Sequence, residues 1–370
     1  MLINELPDDC LLAIFDQFNN LYHLIACFKV CVKWSHLIVK RAEKVKYFVD
    51  YRTHLPDYSP DCVYYRDRDL IDVAGLSSLF PNLIIAKFSD RFQSQVKFED
   101  IAAFVRKHEP LKEMITSYRL AMEECCDKLE MLATDCSKPG ILQNCIHSKQ
   151  LSIRDDTLVN FKSDAQYLPN LERLLILING SYLNGSVLEK LKVVIMHSNV
   201  CNLGTIFYGF QFMDLCPNLQ SARITMDSRT VLVDETLKNE SLQDLVIHFD
   251  FYDRDWNVIK RVLMKYPNLK HLALRNLRRI IDDNIEKLVH FLPNLVIFDV
   301  RGCRGVTQRA ANFVQNYFER NGRSTKFYFK GNHHECKSDW PQLYTKRQEI
   351  CRGFDFMERF FLEYRLGSDV

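Results

Sequence analysis

Apolar residues near the N-terminus recur at the spacing of a helix. Leu11, Ile14, Phe15 and Phe18 follow one another at three- and four-residue steps, which places them on one helical face. Pro7 stands where a first helical turn tolerates proline. The pattern therefore predicts a short amphipathic helix that begins near Pro7.

A second apolar stretch follows the break at 19–20. The run 24–28 reads Leu-Ile-Ala-Cys-Phe and leads into Val30, Cys31 and Trp34. A helical segment of roughly forty residues cannot bury this much apolar surface by itself. We therefore expect a partner, or the rest of the chain, to cover part of it.

Farther along the chain, the pattern changes to alternating apolar positions that start at a repeated tripeptide. Pro-Asn-Leu occurs at 81–83, 169–171, 217–219, 267–269 and 293–295, and each copy opens a frame Leu-x-x-apolar-x-apolar. Frames start at 219, 242, 269 and 295, steps of 23, 27 and 26 residues. The alternation predicts short strands, and helical stripes such as 285–292 predict helices between them. From 83 to 295, nine steps of about 24 residues fill the chain.

The N-terminal residues resemble the F-box, the module that docks substrate receptors onto the Skp adaptor of cullin-RING ubiquitin ligases. The resemblance covers roughly residues 2–48, with Cys10 where leucine is usual and His23 where an acidic residue is typical. It implies that the adaptor contacts Leu6, Pro7, Leu11, Ile14, Phe15, Leu24, Val30, Cys31 and Trp34. The alternative is an amphipathic helical hairpin that caps a larger core.

The repeats resemble leucine-rich repeats. The segment 295–307, with Cys303 and Thr307, is similar to the cysteine-containing class. The resemblance is strong over 171–320 and weaker before it, and the irregular stretch 117–150 is interpreted as an insertion. Each repeat is unstable by itself, and stacking supplies the core. The alternative is a globular α/β domain with chance periodicity.

Together with the patterns, the two resemblances imply an α/β chain with four parts. An all-α F-box at 1–48 is followed by an aromatic connector at 49–75. A leucine-rich-repeat solenoid occupies 76–330, with a curved parallel sheet and helices on its convex side. Residues 331–370 form a C-terminal cap or tail, in which Met357, Phe360, Phe361 and Tyr364 fall at helical steps. This tail either seals the last repeat or folds back along the concave face.

Composition narrows the function classes. The 49 basic and 47 acidic residues nearly balance, so nothing in the charge demands nucleic acid or an acidic membrane. We expect no signal peptide, no membrane span, no cofactor and no metal. The thirteen cysteines are scattered and are interpreted as reduced, mostly buried side chains of a cytoplasmic and/or nuclear protein.

Several residue clusters could suggest a metal or catalytic site, but a structural role is the simpler interpretation of each. His333-His334-x-Cys336, with or without Cys351, lacks a complete metal-ligand spacing. The Cys125-Cys126, Cys136, Cys145 and His147 group would need chance folding, and Cys31 beside Lys33 matches a buried F-box cysteine. Asp282-Asp283 with Glu286 is interpreted as helix capping.

The concave face is the candidate surface for a target protein. In the repeat frame, the third, fifth and seventh residues point away from the core. They include apolar Leu175, Leu177, Val246 and Ile297, which we expect to be exposed. The candidate target-binding residues are Arg223, Val246, His248, His271, Arg275, Asp299 and Arg301. The basic members predict an acidic or phosphorylated target, and the alternative is an ordinary solvated sheet face.

The two resemblances together imply a non-catalytic substrate-recognition subunit of a Skp–cullin–F-box ubiquitin ligase. Its partners would be a Skp-family adaptor, the cullin and RING subunits reached through it, and an unidentified target protein. A scaffold that promotes no ubiquitin transfer is the alternative. An enzyme in its own right lacks a recognisable constellation.

Overall fold

The computed structural model describes residues 3–50, 60–66, 72–88, 96–115, 127–134, 140–153, 158–178, 180–198, 206–226, 228, 230–249 and 255–335. These residues belong to two compact units. The first contains the described residues of 3–134 and 141–152, and the second contains residue 140 and those of 153–335. The predicted aromatic tail lies outside the described residues.

The first unit opens with the predicted helices. They are α1 (Asp8–Phe15), α2 (Leu21–Phe28) and α3 (Val32–Ala42), preceded by a 3-10 turn at Ile3–Glu5. Asn20 ends the first apolar run and caps α2, because its side-chain oxygen accepts a hydrogen bond from the Tyr22 amide at 2.9 Å. The helices of the N-terminal prediction are therefore present, while their assignment as an F-box stays a prediction.

Strands and helices then alternate along the rest of the first unit. The strands are β1 (Tyr47–Asp50), β2 (Cys62–Tyr65), β3 (Ile85–Lys87), β4 (Glu113–Ile115), β5 (Met131–Thr134) and β6 (Gln150–Ile153, whose last residue belongs to the second unit). The helices are α4 (Val73–Leu79) and α5 (Phe98–Lys107), with a 3-10 turn at Ile141–Asn144.

The second unit continues the alternation. Its strands are β7 (Arg173–Ile178), β8 (Val193–Ser198), β9 (Ile206–Phe207), β10 (Ser221–Met226), β11 (Thr230–Val231), β12 (Asp244–Phe249), β13 (His271–Arg275), β14 (Ile297–Asp299) and β15 (Lys326–Tyr328). Its helices are α6 (Leu158–Asp164), α7 (Gly209–Asp214), α8 (Trp256–Leu263), α9 (Asp282–Phe291) and α10 (Gln308–Arg320). Short 3-10 segments lie at Ala165–Tyr167 and Lys330–Glu335.

Thirteen of the described strands form one sheet in the order β15-β14-β13-β12-β10-β8-β7-β6-β5-β4-β3-β1-β2. The pairings described between them are parallel, for example β12 with β13 and β13 with β14. Strands β9 and β11 form a separate two-stranded sheet. Parallel neighbours joined by helical segments are consistent with a leucine-rich-repeat array. From β3 to β14 the sheet order contains ten strands, and the expected nine steps are confirmed.

The register explains why the repeat frame reads as it does. Leu245 pairs with Leu272, and Leu272 pairs with Phe298, so the fourth frame positions stack into one buried column. The sixth positions, such as Ile247 and Leu274, form a second buried column. These two columns and the leucine that opens each Pro-Asn-Leu frame build the core.

The asparagine of Pro-Asn-Leu links one repeat to the preceding repeat through a side-chain hydrogen bond. The side-chain amides of Asn82, Asn218 and Asn268 donate to the backbone carbonyls of Glu43, Glu189 and Glu240 at 2.7, 2.8 and 2.9 Å. Each acceptor carbonyl lies two residues before the first position of the preceding frame. The recurring asparagine thus satisfies a backbone group that a strand start would leave open.

Four strands of the thirteen-stranded sheet were missed by the sequence frame, as were β9 and β11 of the small sheet. β1 begins in the last two residues of the predicted F-box segment, and β2 lies in the predicted connector at 49–75. Both extend the sheet beyond β3. β5 and β8 follow Leu129 and Leu191, which open repeats without a Pro-Asn pair.

In the cysteine-containing repeat, Gly302 has φ +86° and the buried Cys303 thiol donates to the Leu274 carbonyl at 3.2 Å. Among the helices described here, none is long and apolar enough to cross a membrane.

Candidate functional site

The N-terminal helices present large apolar side chains to solvent. Val32 is 72% exposed, Tyr22 65% and Val30 55%, with Ile25 and Phe28 also exposed. They surround the ends of α2 and the start of α3. Contiguous apolar exposure of this kind marks interaction surfaces in soluble proteins. We call these five residues the helical apolar surface.

Other residues of the same segment hold the helices together from inside. The rings of Phe15 and Trp34 meet edge to face with centroids 5.0 Å apart. Arg41 is fully buried, and its guanidinium donates to the Phe15 carbonyl at 3.3 Å and to the Asn19 side chain at 3.0 Å. These contacts fix α3 against the end of α1.

The structure separates the predicted adaptor-binding residues into three groups. Leu11, Phe15 and Leu24 are buried among the helices, so they support the surface without offering it side-chain area. The role of Phe15 in adaptor binding stays a prediction, and the structure shows only that its side chain packs inward. Helical periodicity marks an apolar face but does not say whether that face packs inward or meets a partner. Pro7 and Val30 are exposed, while Leu6, Ile14, Cys31 and Trp34 are half-buried.

Sequence reasoning missed Tyr22, Ile25, Phe28 and Val32 as members of this surface. The available signal was that α2 is apolar around its whole circumference, which a short helix with one packed face does not need. Next to it, an apolar hollow lies between α2, α3 and α4. Its walls are Leu24, Ile25, Phe28, Ile38, Ala42, Leu79 and Phe80.

The second candidate surface is the sheet face formed by the third, fifth and seventh frame residues, which we call the odd face. The register aligns these positions across neighbouring strands: Arg223 pairs with Val246, Val246 with Ala273, and Ala273 with Asp299. The alternation predicted from sequence therefore assigns these residues to a common face, as expected.

The expectation that this face is solvent-exposed is wrong for its middle column. Arg223, Val246, Asp299 and Leu175 are buried, as is Ile297 in the third column. Alternation determines which face a side chain takes, whereas its exposure depends on what lies beside and above it. The seventh positions are consistently accessible, because Leu177, His197, Thr225, His248, Arg275 and Arg301 are all half-buried. Two residues of the third column, Arg173 and His271, are half-buried as well.

Asp299 draws the two predicted basic residues nearest to it into ion pairs. Arg301 approaches its carboxylate at 2.8 Å and Arg275 at 3.4 Å. The Arg301 backbone amide donates to the same carboxylate at 3.0 Å. The positive charge of this edge is therefore partly neutralised within the protein, which weakens the basis for an acidic or phosphorylated target.

Ser221, Asp244 and His271 lie side by side on β10, β12 and β13 in the third column. The His271 imidazole Nδ1 and the Asp244 carboxylate are 2.5 Å apart, and the Ser221 hydroxyl donates to the other carboxylate oxygen. A nucleophilic serine requires a hydrogen bond to a histidine base. Here the aspartate stands between them, so the arrangement is a buried polar link between strands.

The remaining clusters have structural roles or lie outside the described residues. Asp282 is not a helix cap, since Ile281 precedes α9 at that position. Its carboxylate instead accepts from the Thr307 amide and hydroxyl, both at 2.7 Å, and from Arg309 at 3.2 Å. Burial alone would raise the pKa of Asp282, but these bonds outweigh it and lower the pKa.

Cysteine and histidine clusters give no chemical site among the described residues. Within that part of the chain, no group of three or more His, Cys, Asp or Glu side chains is arranged to hold a metal ion. Cys145 is buried and His147 is exposed. Cys125, Cys126, Cys136, Cys336 and Cys351 lie outside the described residues, and the side chains of His333 and His334 are likewise not described.

No protein-family model matches the chain, and no curated protein sequence matches it. Among solved structures, the chain is similar to an internalin, inlF, from Listeria monocytogenes str. 4b F2365. The two share 10% sequence identity over 83% of this chain and 88% of the internalin chain, with a TM-score of 0.44. The description of the fold rests on the strand order and register given above.

Proposed function

We propose that this protein is a non-catalytic substrate receptor of a Skp–cullin–F-box type ubiquitin ligase. The N-terminal helices would bind a Skp-family adaptor, and the repeat sheet would bind a target protein. The leucine-rich-repeat architecture supports a protein-interaction role. Cytoplasm and nucleus are the compartments that contain such ligases.

The helical apolar surface is the observation that carries the proposal. Exposed Tyr22, Val30 and Val32 lie within the segment whose motif resembles the F-box. Burying one such side chain against a partner contributes about 1.5–3 kcal/mol. Several of them together suffice for a specific protein interface.

In the proposed mechanism, the receptor acts by proximity. One end holds the adaptor, and through it the cullin and RING subunits. The other end holds the target near a loaded ubiquitin-conjugating enzyme and so raises the effective concentration of the target's lysines. The chemistry belongs to the partner proteins.

For the target, we propose the seventh positions of the odd face as the contact residues. Leu177, Thr225, His248, Arg275 and Arg301 are half-buried and follow one another along the carboxyl ends of the strands. They combine apolar area with hydrogen-bond donors, which suits a protein partner. Arg223, Val246 and Asp299 would support them from within the face.

The test is adaptor binding by the full-length chain. Val30→Glu with Val32→Glu should weaken binding by about tenfold or more, because two apolar contacts become charged. The matched control is Val187→Glu with Val296→Glu, since these valines are 54% and 46% exposed outside the N-terminal helices. The control variant should bind as the unchanged protein does.

Either of two results would contradict the proposal. In the first, the unchanged protein binds no Skp-family adaptor. In the second, the Val30→Glu/Val32→Glu variant binds the adaptor as tightly as the control does. Recovery of cullin and RING subunits with the adaptor distinguishes a ligase receptor from a scaffold. A scaffold would retain the adaptor without them.

A further inference from the structure

Strands β4 and β6 of the first unit place polar side chains on the odd face, on either side of β5. Glu113 opens β4 and Gln150 opens β6, with Met131 of β5 between them. The Met131 amide donates to the Lys112 carbonyl and the Gln150 amide donates to the Glu130 carbonyl, both at 3.1 Å. This shared ladder sets Glu113, Met131 and Gln150 side by side on one face, and Ser152 follows two residues after Gln150.

The polar atoms of this group are buried without hydrogen-bond partners. Both carboxylate oxygens of Glu113, both amide atoms of Gln150 and the Ser152 hydroxyl lack a partner. The exposed fraction is 0% for Glu113, 1% for Gln150 and 0% for Ser152. An unsatisfied buried polar group costs about 1–3 kcal/mol, and more for a charge. Five such atoms on β4 and β6, the two strands that flank β5, therefore need an explanation beyond packing.

A second glutamate near β5 gives a comparison, because its carboxylate is paired with cations of the protein. Glu130, one residue before Met131, lies between Lys112 and Lys149, and each ammonium approaches its carboxylate at 3.1 Å. Glu113 has no cation of this kind among the described residues. Burial accordingly raises the pKa of Glu113 well above its ordinary value.

The geometry of the acceptors narrows the class of ligand. The Cα atoms of Glu113 and Gln150 are two strand spacings apart, about 10 Å. Met131 forms an apolar floor between them. One carboxylate supplies too few ligands for a metal ion, and no metal-holding cluster exists in the described part of the chain. A planar guanidinium presents several donors to a carboxylate, an amide oxygen and a hydroxyl at once.

We propose that Glu113, Gln150 and Ser152 form a subsite that receives an arginine side chain of the target protein. Glu113 accepts two guanidinium hydrogen bonds, Gln150 and Ser152 accept from its far edge, and Met131 packs against its alkyl stem. The assignment of the arginine to a target rests on the proposed receptor function, whereas the cation-binding chemistry does not. Since these side chains have no exposed surface, the ligand enters through a local opening of the odd face.

The experiment uses agmatine, an alkyl guanidinium, as the probe and the full-length chain as the protein. Calorimetric titration should detect agmatine binding by the unchanged chain. Glu113→Gln should weaken it at least tenfold, and Gln150→Met should weaken it less. Glu130→Gln is the matched control, because it removes a nearby carboxylate that is already paired with lysines. It should bind agmatine as the unchanged chain does.

Every outcome decides the inference. N-carbamoylputrescine keeps the ammonium end of agmatine and replaces the guanidinium with an uncharged urea. Binding of this analogue as tightly as agmatine would overturn the inference, as would undiminished agmatine binding by Glu113→Gln. Absence of agmatine binding to the unchanged chain would mean that Glu113 is only a protonated core residue. Adaptor binding measured in parallel tests the receptor function separately, so a failure of one does not imply a failure of the other.

Discussion

Replacing Glu113 with glutamine should remove a pH dependence from the stability of the protein. The carboxyl group is completely buried, and burial raises its pKa well above the ordinary value of 4.5. Between those two pKa values, the folded chain retains a proton that the unfolded chain has released. The contribution of Glu113 to the stability of the folded protein is therefore fully present below the ordinary pKa. It is lost as the pH rises from the ordinary pKa to the folded-state pKa, and the loss is complete above the folded-state pKa.

The magnitude follows from the single proton involved. Stability falls by at most about 1.4 kcal/mol per pH unit across that window. Glutamine has the same shape and no titration, so the Glu113→Gln variant should match the unchanged protein near pH 4.5. It should then exceed the unchanged protein by a difference that grows with pH and levels off once the folded-state carboxyl ionises.

Urea unfolding followed by far-UV circular dichroism, from pH 5 to pH 8, measures this difference. Differences between variants cancel the other titrating groups. Glu130→Gln should instead differ from the unchanged protein by a nearly constant amount over this pH range, because the Glu130 carboxyl titrates below it. Partial burial would raise the pKa of Glu130, but hydrogen bonds and charges from Lys149 and Lys112 outweigh it and lower the pKa. Its small contribution is present above the ordinary pKa and lost below it.

The reasoning would be refuted if Glu113→Gln and the unchanged chain had parallel stability curves over this pH range. A variant less stable than the unchanged chain at pH 8 would also refute it. Either result would mean that the Glu113 carboxylate is ionised and compensated in the folded protein.

Further substitutions test the packing of the second unit by urea unfolding. Leu272→Asp should unfold at least this unit, because it places an unpaired charge in a fully buried column, whereas Val296→Asp at an exposed position should change stability little. Asp299→Asn should cost about 2 kcal/mol or more, since two arginines lose their buried counter-charge. Gly302→Ala should cost about 1 kcal/mol, because its φ is +86° and a Cβ would lie 3.3 Å from the Asn276 amide nitrogen. Unchanged unfolding midpoints in any of these three variants would contradict the corresponding contact.

Much of the fold could be predicted from local pattern. The period-two alternation after Leu171, Leu219, Leu242, Leu269 and Leu295 predicted strands that the structure confirms. Pro-Asn-Leu is readable because the same tripeptide recurs at the start of successive repeats. Its asparagine bonds a backbone carbonyl of the preceding repeat, and its leucine is buried. Repeats without Pro-Asn, at Leu129 and Leu191, carry the same alternation but lack this signal.

The candidate sites depended more on tertiary structure. Sequence determined that Arg223, Val246 and Asp299 share a face, because alternation is a property of the strand itself. Their burial, the pairing of Asp299 with Arg275, and the unsatisfied state of Glu113 arise between residues on different strands. Sequence spacing says nothing about such contacts, since they depend on which side chains the stacked repeats bring together. The N-terminal motif likewise predicted helices, but only their packing showed that Phe15 lies inside and Val32 outside.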